Sequence, residues 1–233
     1  MLVSKMPDGR PEIFTSLQGE GVGLGEPAAF LRLAGCNLTC RWCDTRYTWD
    51  WQAYDPGEVT LRLKPEEVSQ QISKLHPRYL VVTGGEPLLQ QEELLQLLLL
   101  LDREVFIEVE TNGTLLPRED LLPLVSRWSV SPKLSNSEVP RERREVPQVL
   151  QFFSTLPSSF FKFVMEEEGD LEELEDLLKE FDLPPEKVIL MPQAQDRRTL
   201  ARRSRWLAEL CSRRSFRFST RLQILLWGNQ RGT

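Results

Sequence analysis

The chain has 233 residues, 40% of them apolar and 27% charged, and 29 Lys plus Arg stand against 35 Asp plus Glu for a formal net charge of −6. This length buries a sizeable core and this composition excludes global disorder. The longest apolar run, Leu97 to Leu101, is far short of the roughly 18 residues of a spanning helix, and no charged-then-apolar leader opens the chain, so a cytoplasmic protein without a membrane partner is expected.

In chain order, an apolar strand over Ala28 to Leu33 runs straight into a loop holding Cys36, Cys40 and Cys43. A polar, aromatic-rich stretch follows, with Trp42, Tyr47, Trp49, Trp51 and Tyr54. A helix is predicted from about Pro65 to Leu75, with proline at a tolerated first-turn position. Tyr79 to Val82 reads as a short buried strand ending in Thr83-Gly84-Gly85-Glu86-Pro87, and a Leu-rich helix from about Leu88 to Leu101 comes next. Val105 to Glu110 is a further strand, closed by the turn pair Asn112-Gly113. A short helix near Glu119 to Leu124 precedes the strand Arg127 to Val130, which leads into Ser131-Pro132-Lys133. Phe160 to Val164 and Val188 to Met191 are two more strands, separated by the acidic amphipathic helix Asp170 to Phe181. A basic helix around Arg198 to Cys211 and a tail with Leu225-Leu226-Trp227 finish the chain.

Strands alternating with helices predict an α/β fold with a parallel sheet. About six parallel strands, fewer than the eight of a closed barrel, predict an incomplete TIM-like barrel formed by residues 1–233 as one domain. The Cys loop, Gly84 to Pro87, Thr111 to Gly113, Ser131 to Lys133 and Pro192-Gln193 each follow a strand. In parallel α/β folds that edge binds ligands.

Three thiols within eight residues suit an iron–sulfur cluster, which takes Cys thiolates; three leave one iron without a protein ligand, free to bind a small chelating molecule. A zinc site with Cys211 as fourth ligand is the alternative, although Cys211 follows Trp206, Leu207 and Leu210 and reads as core packing. The single histidine, His76, reads as a surface residue at a helix end and removes most His-based hydrolytic chemistry. Arg32 is a lone charge in an apolar strand, where burial is costly without a partner. It suits a carboxylate ligand. Glu108 and Glu110 share one side of their strand; Glu110 faces a site, and Glu108 can pair with an arginine. Residues Arg197 to Arg221 hold nine arginines against one acid, Glu209. With a negative net charge this reads as a solvated helix face or a dimer rim, and no nucleic acid is expected.

The three-cysteine spacing and the Gly84-Gly85-Glu86-Pro87 segment resemble the radical S-adenosylmethionine superfamily. More narrowly, Glu12 to Gly21, Phe30 to Leu38, Trp42-Cys43-Asp44-Thr45, Glu110 to Gly113, Ser131 to Lys133, Met191 to Gln193 and Leu225 to Gly228 are similar to the 7-carboxy-7-deazaguanine synthase family. The resemblance implies that Cys36, Cys40 and Cys43 ligate a [4Fe–4S] cluster. It places S-adenosylmethionine against Gly85, Glu110, Ser131, Pro132, Lys133, Met191, Pro192 and Gln193, with Trp42 and Asp44 flanking the cluster. Leu17, Gln18, Gly19, Glu20, Arg32, Thr83 and Thr233 would bind the substrate, a 6-carboxytetrahydropterin, and Thr45 would bind Mg2+. The implied reaction is a radical ring contraction with loss of ammonia, in queuosine-type deazapurine synthesis. An external electron donor such as flavodoxin and a homodimer are implied as well. An N-terminal segment would bind substrate and a C-terminal tail would close the pocket. One departure stands out: family members often carry a histidine after the Arg-Leu pair, where this chain has Gln223 after Arg221-Leu222. Two rival readings are an activating enzyme for a glycyl-radical protein and a cluster module serving electron relay or structure; neither uses the full motif set.

Overall fold

The computed structural model describes all 233 residues. Ten strands form one sheet: β1 (Leu2–Ser4), β2 (Ile13–Leu17), β3 (Pro27–Leu33), β4 (Thr60–Arg62), β5 (Tyr79–Gly84), β6 (Phe106–Thr111), β7 (Arg127–Val130), β8 (Ser159–Met165), β9 (Val188–Pro192) and β10 (Arg217–Phe218). Its order is β10-β9-β8-β7-β6-β5-β3-β1-β4, with β2 paired antiparallel to β3. All six expected parallel strands are present as β3 and β5 to β9; two-residue β10 adds a seventh by pairing with β9. The terminal strands β10 and β4 do not meet, so the barrel stays open.

The helices are α1 (Pro56–Val59), α2 (Pro65–Ser73), α3 (Gln91–Leu100), α4 (Arg141–Arg144), α5 (Pro147–Thr155), α6 (Asp170–Glu180), α7 (Arg197–Arg214) and α8 (Leu222–Trp227). The expected helix from Leu88 begins with a tight 3-10 turn over Pro87–Gln90 before α3, because Glu86 caps it by accepting from the Leu88 N–H. Residues 141–155 carry no sequence expectation, yet α5 buries Val149, Leu150 and Phe153, the spacing of one helix face. His76 is exposed and left-handed (φ 47°) just past α2, as expected of a residue ending a helix. No helix is long and apolar enough to cross a membrane.

Side-chain alternation divides the sheet into two functions. On the outer face Ala29, Leu31, Leu33, Leu80, Val82, Ile107, Val109, Phe161, Phe163, Val188 and Leu190 pack against the helices in one large core. On the inner face, the lower end is plugged by Ala28, Phe30, Tyr79 and Val81, with Phe14 stacked on Phe30 at 5.2 Å. The upper inner positions belong to Arg32, Thr83, Glu110, Lys162, Val164 and Met191, which line a cavity. The same strands therefore supply an apolar exterior for folding and a polar interior for ligands.

Candidate active site

The cavity lies at the C-terminal strand ends, where five polar loops were expected to converge. It is lined by Leu17, Gln18, Gly19, Glu20, Arg32, Cys36, Cys40, Trp42, Cys43, Asp44, Thr45, Thr83, Gly85, Glu110, Ser131, Lys133, Met191, Gln193 and Thr233. Of the cluster, cofactor, substrate and Mg2+ residues that the resemblance implies, only Pro132 and Pro192 are absent from this lining. Pro192 is the last residue of β9, and its partner across the sheet is Met165, whose side chain belongs to the outer core. Alternation thus turns Pro192 outward while Met191 faces in.

The cysteine loop is held against the Gly84-Gly85 turn by backbone contact. The Gly85 N–H donates to Leu33 O at 3.0 Å and the Glu86 N–H to Gly35 O at 2.8 Å. A Cβ on Gly84 would lie 2.0 Å from Leu33 O, and one on Gly85 would lie 2.0 Å from Gly35 O. Both glycines therefore let two chain segments approach more closely than any side chain allows. Beneath them, buried Glu86 accepts from the Asn112 N–H (2.7 Å) and the Thr111 hydroxyl (2.9 Å), tying this turn to the end of β6. Asn37 then links the cysteine loop to Asn112 and Thr114.

All three loop cysteines are free thiols. Burial pushes the Cys36 thiol up to about 12; burial also raises the Cys40 thiol, with Lys133 offsetting only part of the rise. The Leu38 N–H reaches Cys36 Sγ at 3.4 Å, and the Trp49 indole donates to Cys43 Sγ at 3.3 Å. Such N–H to sulfur bonds favour the thiolate form that iron requires. No three Cys, His, Asp or Glu side chains gather tightly enough to hold a single ion. The sulfurs instead rim the cavity, an arrangement that suits a cluster taking each thiolate on a different iron. Cys211 lies elsewhere, buried in the main core beside Leu207 and Leu210 with Sγ directed at Arg217 O. That removes it from a four-cysteine zinc site.

A further part of the lining is ionic. Glu20 accepts from Lys162 Nζ at 2.6 Å, Arg221 Nε at 3.0 Å and Gln223 Nε2 at 2.7 Å. Burial opposes its charge, but Lys162 and Arg221 outweigh burial and hold its carboxyl far below the usual range. Arg221 also grips Asp44 and Ala194 O, linking the residue after Cys43 to the C-terminal part of the chain. Lys162 reaches on to Glu110 Oε1 at 3.4 Å, and Thr83 donates to Glu110 Oε2 at 2.7 Å. Glu110 faces the cavity, whereas Glu108 lies below it, paired with Arg127 (3.0 Å) and Tyr79. Lys133 bonds Ser131 at 2.9 Å and lies over the Trp42 ring. Gln193 is held by Arg203.

Lys162 and Arg221 are the charged cavity residues the sequence reading missed. Lys162 had an available signal, a lone cation in the apolar strand Phe160 to Val164, the same signature as Arg32. Arg32 itself makes an internal ion pair, with Nε 2.9 Å from Glu12 Oε1, yet lines the cavity as well. Its two Nη groups have no protein partner, so the ion pair and a ligand role coexist. Thr45 does not cap the turn that follows it; its hydroxyl lies 3.6 Å from Cys43 Sγ. Gln18 and Gln223 also line the cavity, but Gln18 Nε2 and Gln223 Oε1, which make no hydrogen bond, are covered by protein, Oε1 against Gly19.

Comparison with known proteins agrees with this architecture. The radical SAM superfamily model matches residues 31–146. The 7-carboxy-7-deazaguanine synthase of Pyrobaculum aerophilum is 39% identical over 222 residues, covering 95% of each chain. That of Hyperthermus butylicus is 34% identical over 220 residues, covering 92% of this chain and 91% of its own. Among solved structures, Escherichia coli QueE aligns with a TM-score of 0.67 at 27% identity over 95% of both chains. Streptococcus suis SuiB bound to S-adenosylmethionine aligns with a TM-score of 0.53 at 13% identity, over 82% of this chain and 47% of its own, a likeness of fold alone. Identity at this level along nearly the full length, on an open barrel with three cysteines at its mouth, shows that the chain belongs to the 7-carboxy-7-deazaguanine synthase family of the radical SAM enzymes.

Proposed function

We propose that this enzyme converts 6-carboxy-5,6,7,8-tetrahydropterin to 7-carboxy-7-deazaguanine, contracting the pyrazine half of the pterin and releasing ammonia. Product and ammonia together contain the atoms of the substrate, so the conversion needs no net oxidant. One observation carries the reading. Arg32 spends only its Nε on Glu12 and lines the same cavity as the three cysteines, which leaves both Nη groups for a ligand anion. The pterin carboxylate suits that arginine fork, and the pterin edge offers donors and acceptors to the polar lining of the cavity. A cation in an apolar strand with two donors unused calls for an anionic partner; the pterin carboxylate supplies one.

In this reading Cys36, Cys40 and Cys43 would hold a [4Fe–4S] cluster, and Gly85, Ser131, Lys133, Met191 and Gln193 would hold S-adenosylmethionine. When bound and reduced by an external donor such as flavodoxin, that pair of cofactors supplies the carbon radical that takes hydrogen from C6 of the pterin. The chain's own residues orient and enclose. Gly85 keeps the strand end clear of side chain. Glu110, locked between Thr83 and Lys162, fixes the floor of the cavity. Glu20 holds Arg221 and Gln223 against the wall, and Arg221 in turn holds Asp44 beside the cluster loop. Thr45 would supply a hydroxyl to Mg2+; one neutral oxygen is a weak site, so further hard-oxygen ligands would have to come from the substrate and water.

The test is an anaerobic assay of cluster-loaded protein with S-adenosylmethionine, reductant, Mg2+ and the carboxytetrahydropterin, read by mass spectrometry. Formation of 7-carboxy-7-deazaguanine with 5′-deoxyadenosine is the expected result; deoxyadenosine without the deazapurine would overturn the substrate. In the same assay Thr45→Ala should blunt the Mg2+ response without changing iron content. An unchanged response would remove Thr45 from the metal site.

A further inference from the structure

Glu12 lies at the head of β2, outside the cavity, with its side chain 1% exposed. A carboxylate this deep needs saturation by donors, and both oxygens receive it. Oε1 accepts from Arg32 Nε at 2.9 Å and from the Tyr47 hydroxyl at 3.1 Å. Oε2 accepts from the Ser4 hydroxyl at 2.9 Å and from Arg231 Nη2 at 2.7 Å. Arg231 is anchored twice more. Its Nη2 donates to Lys5 O at 2.7 Å, and its guanidinium lies 3.6 Å from the centre of the Tyr47 ring. Two residues later Thr233 lines the cavity.

The charges along this line are Arg32 positive, Glu12 negative and Arg231 positive. Without Arg231, Glu12 would cancel Arg32 and present the cavity with a neutral pair. With it, the triad keeps one net positive charge, and Arg32 keeps two free Nη groups on the cavity side. We propose that Arg231 is a positioning residue for anion binding: by compensating Glu12 it preserves the pull of Arg32 on a ligand carboxylate. The proposal rests on the carboxylated pterin argued above, and it assigns a recognition role to a residue that does not itself touch the ligand.

The test compares two fluorescent probes, 6-carboxypterin and pterin, titrated into cluster-loaded protein under anaerobic conditions without reductant. Arg231→Gln is expected to weaken 6-carboxypterin roughly tenfold, the scale of one lost unit charge at second-neighbour range in a medium of effective dielectric about 20, while pterin binding is unmoved. Equal weakening of both probes would make Arg231 a plain anchor of the chain end and overturn the proposal, as would no change in either. Arg231→Lys keeps the charge and loses the fork and the ring contact, so its 6-carboxypterin Kd should stay within about threefold of the unmutated protein. A tenfold loss in that variant would overturn the charge argument even if Arg231→Gln did not fold. If the unmutated protein binds both probes equally, the carboxylate reading itself fails and this role falls with it.

Discussion

Glu20 and Lys162, 142 residues apart in the chain, meet with Nζ 2.6 Å from Oε2 on the cavity wall. The loop after β2 is thereby clamped to the middle of β8. Arg221 and Gln223 close on the other oxygen of the same carboxylate, so three distant segments converge on one anion. With Lys162 replaced by methionine, Glu20 keeps only the C-terminal pair and Glu110 loses its cation. We expect Lys162→Met to cost about 3 kcal/mol of stability, the scale for breaking a buried pair from one side, measured by denaturant titration. We also expect it to lower deazapurine formation by about 100-fold, the scale of a displaced reacting group, with iron content unchanged. Loss of iron instead would show that the clamp serves the cluster loop rather than the substrate wall.

The same carboxylate sets an acid dependence. Although burial works against its charge, Lys162 and Arg221 hold Glu20 far below its ordinary value of 4.5. A carboxylate lowered by folding contributes stability above the unfolded value, and that contribution is lost as pH falls through 4.5 toward the folded value. Glu12, lowered between Arg32 and Arg231 in spite of its burial, acts in the same direction. Glu20→Gln should therefore be less stable than the unmutated protein at neutral pH. The gap should narrow as the buffer is taken down through 4.5, read from urea midpoints at each pH. A gap of constant size would mean that Glu20 is not the titrating group.

Gly84 is the register partner of Leu33, and Gly35 follows two residues after Leu33; both glycines have positive φ, 137° and 92°. Their surroundings differ. A Cβ on Gly35 meets nothing within 4 Å, whereas one on Gly84 meets Leu33 O at 2.0 Å. Gly35→Ala should cost only the left-handed backbone penalty, about 1–2 kcal/mol, and the variant should fold and load iron. Gly84→Ala forces two backbones apart and should exceed about 4 kcal/mol, appearing as insoluble protein or as protein that takes up no cluster. Similar melting temperatures for the two variants would contradict this packing of the turn.

Most of the sheet is legible in the sequence because each parallel strand is a short apolar run followed by a polar loop. Arg32, Glu108 and Glu110 stand out as charges that break such runs; Arg32 and Glu110 line the cavity, while Glu108 is paired with Arg127 below it. Lys162 breaks a run in the same way, but no recognisable motif follows β8, so nothing in the sequence ties it to the site. Arg221 is harder still: its partner Glu20 is 201 residues away and its other partner, Asp44, 177. Only the closing of the barrel brings them together. The two- and three-residue strands β1, β4 and β10 are too short to show a period. They exist because neighbouring strand edges offer unpaired backbone groups.

The four cysteines divide between two environments, which yields a test of the cluster assignment. Cys40 belongs to a small apolar group with Leu38 and Val139 at the cavity mouth, packed against Cys36, Trp42 and Cys43. Cys211 lies on α7, within the main core. Its thiol, raised to about 11 by burial, stays neutral at physiological pH and acts as a small apolar side chain. Cys40→Ala should abolish the brown colour and the iron content of anaerobically reconstituted protein while leaving the fold intact by circular dichroism. Cys211→Ala should keep full iron content and lose about 1 kcal/mol of stability to the vacated volume. Iron lost from the Cys211 variant would make it a ligand after all, and a full cluster in the Cys40 variant would reassign the loop; either result would require a different ligand set.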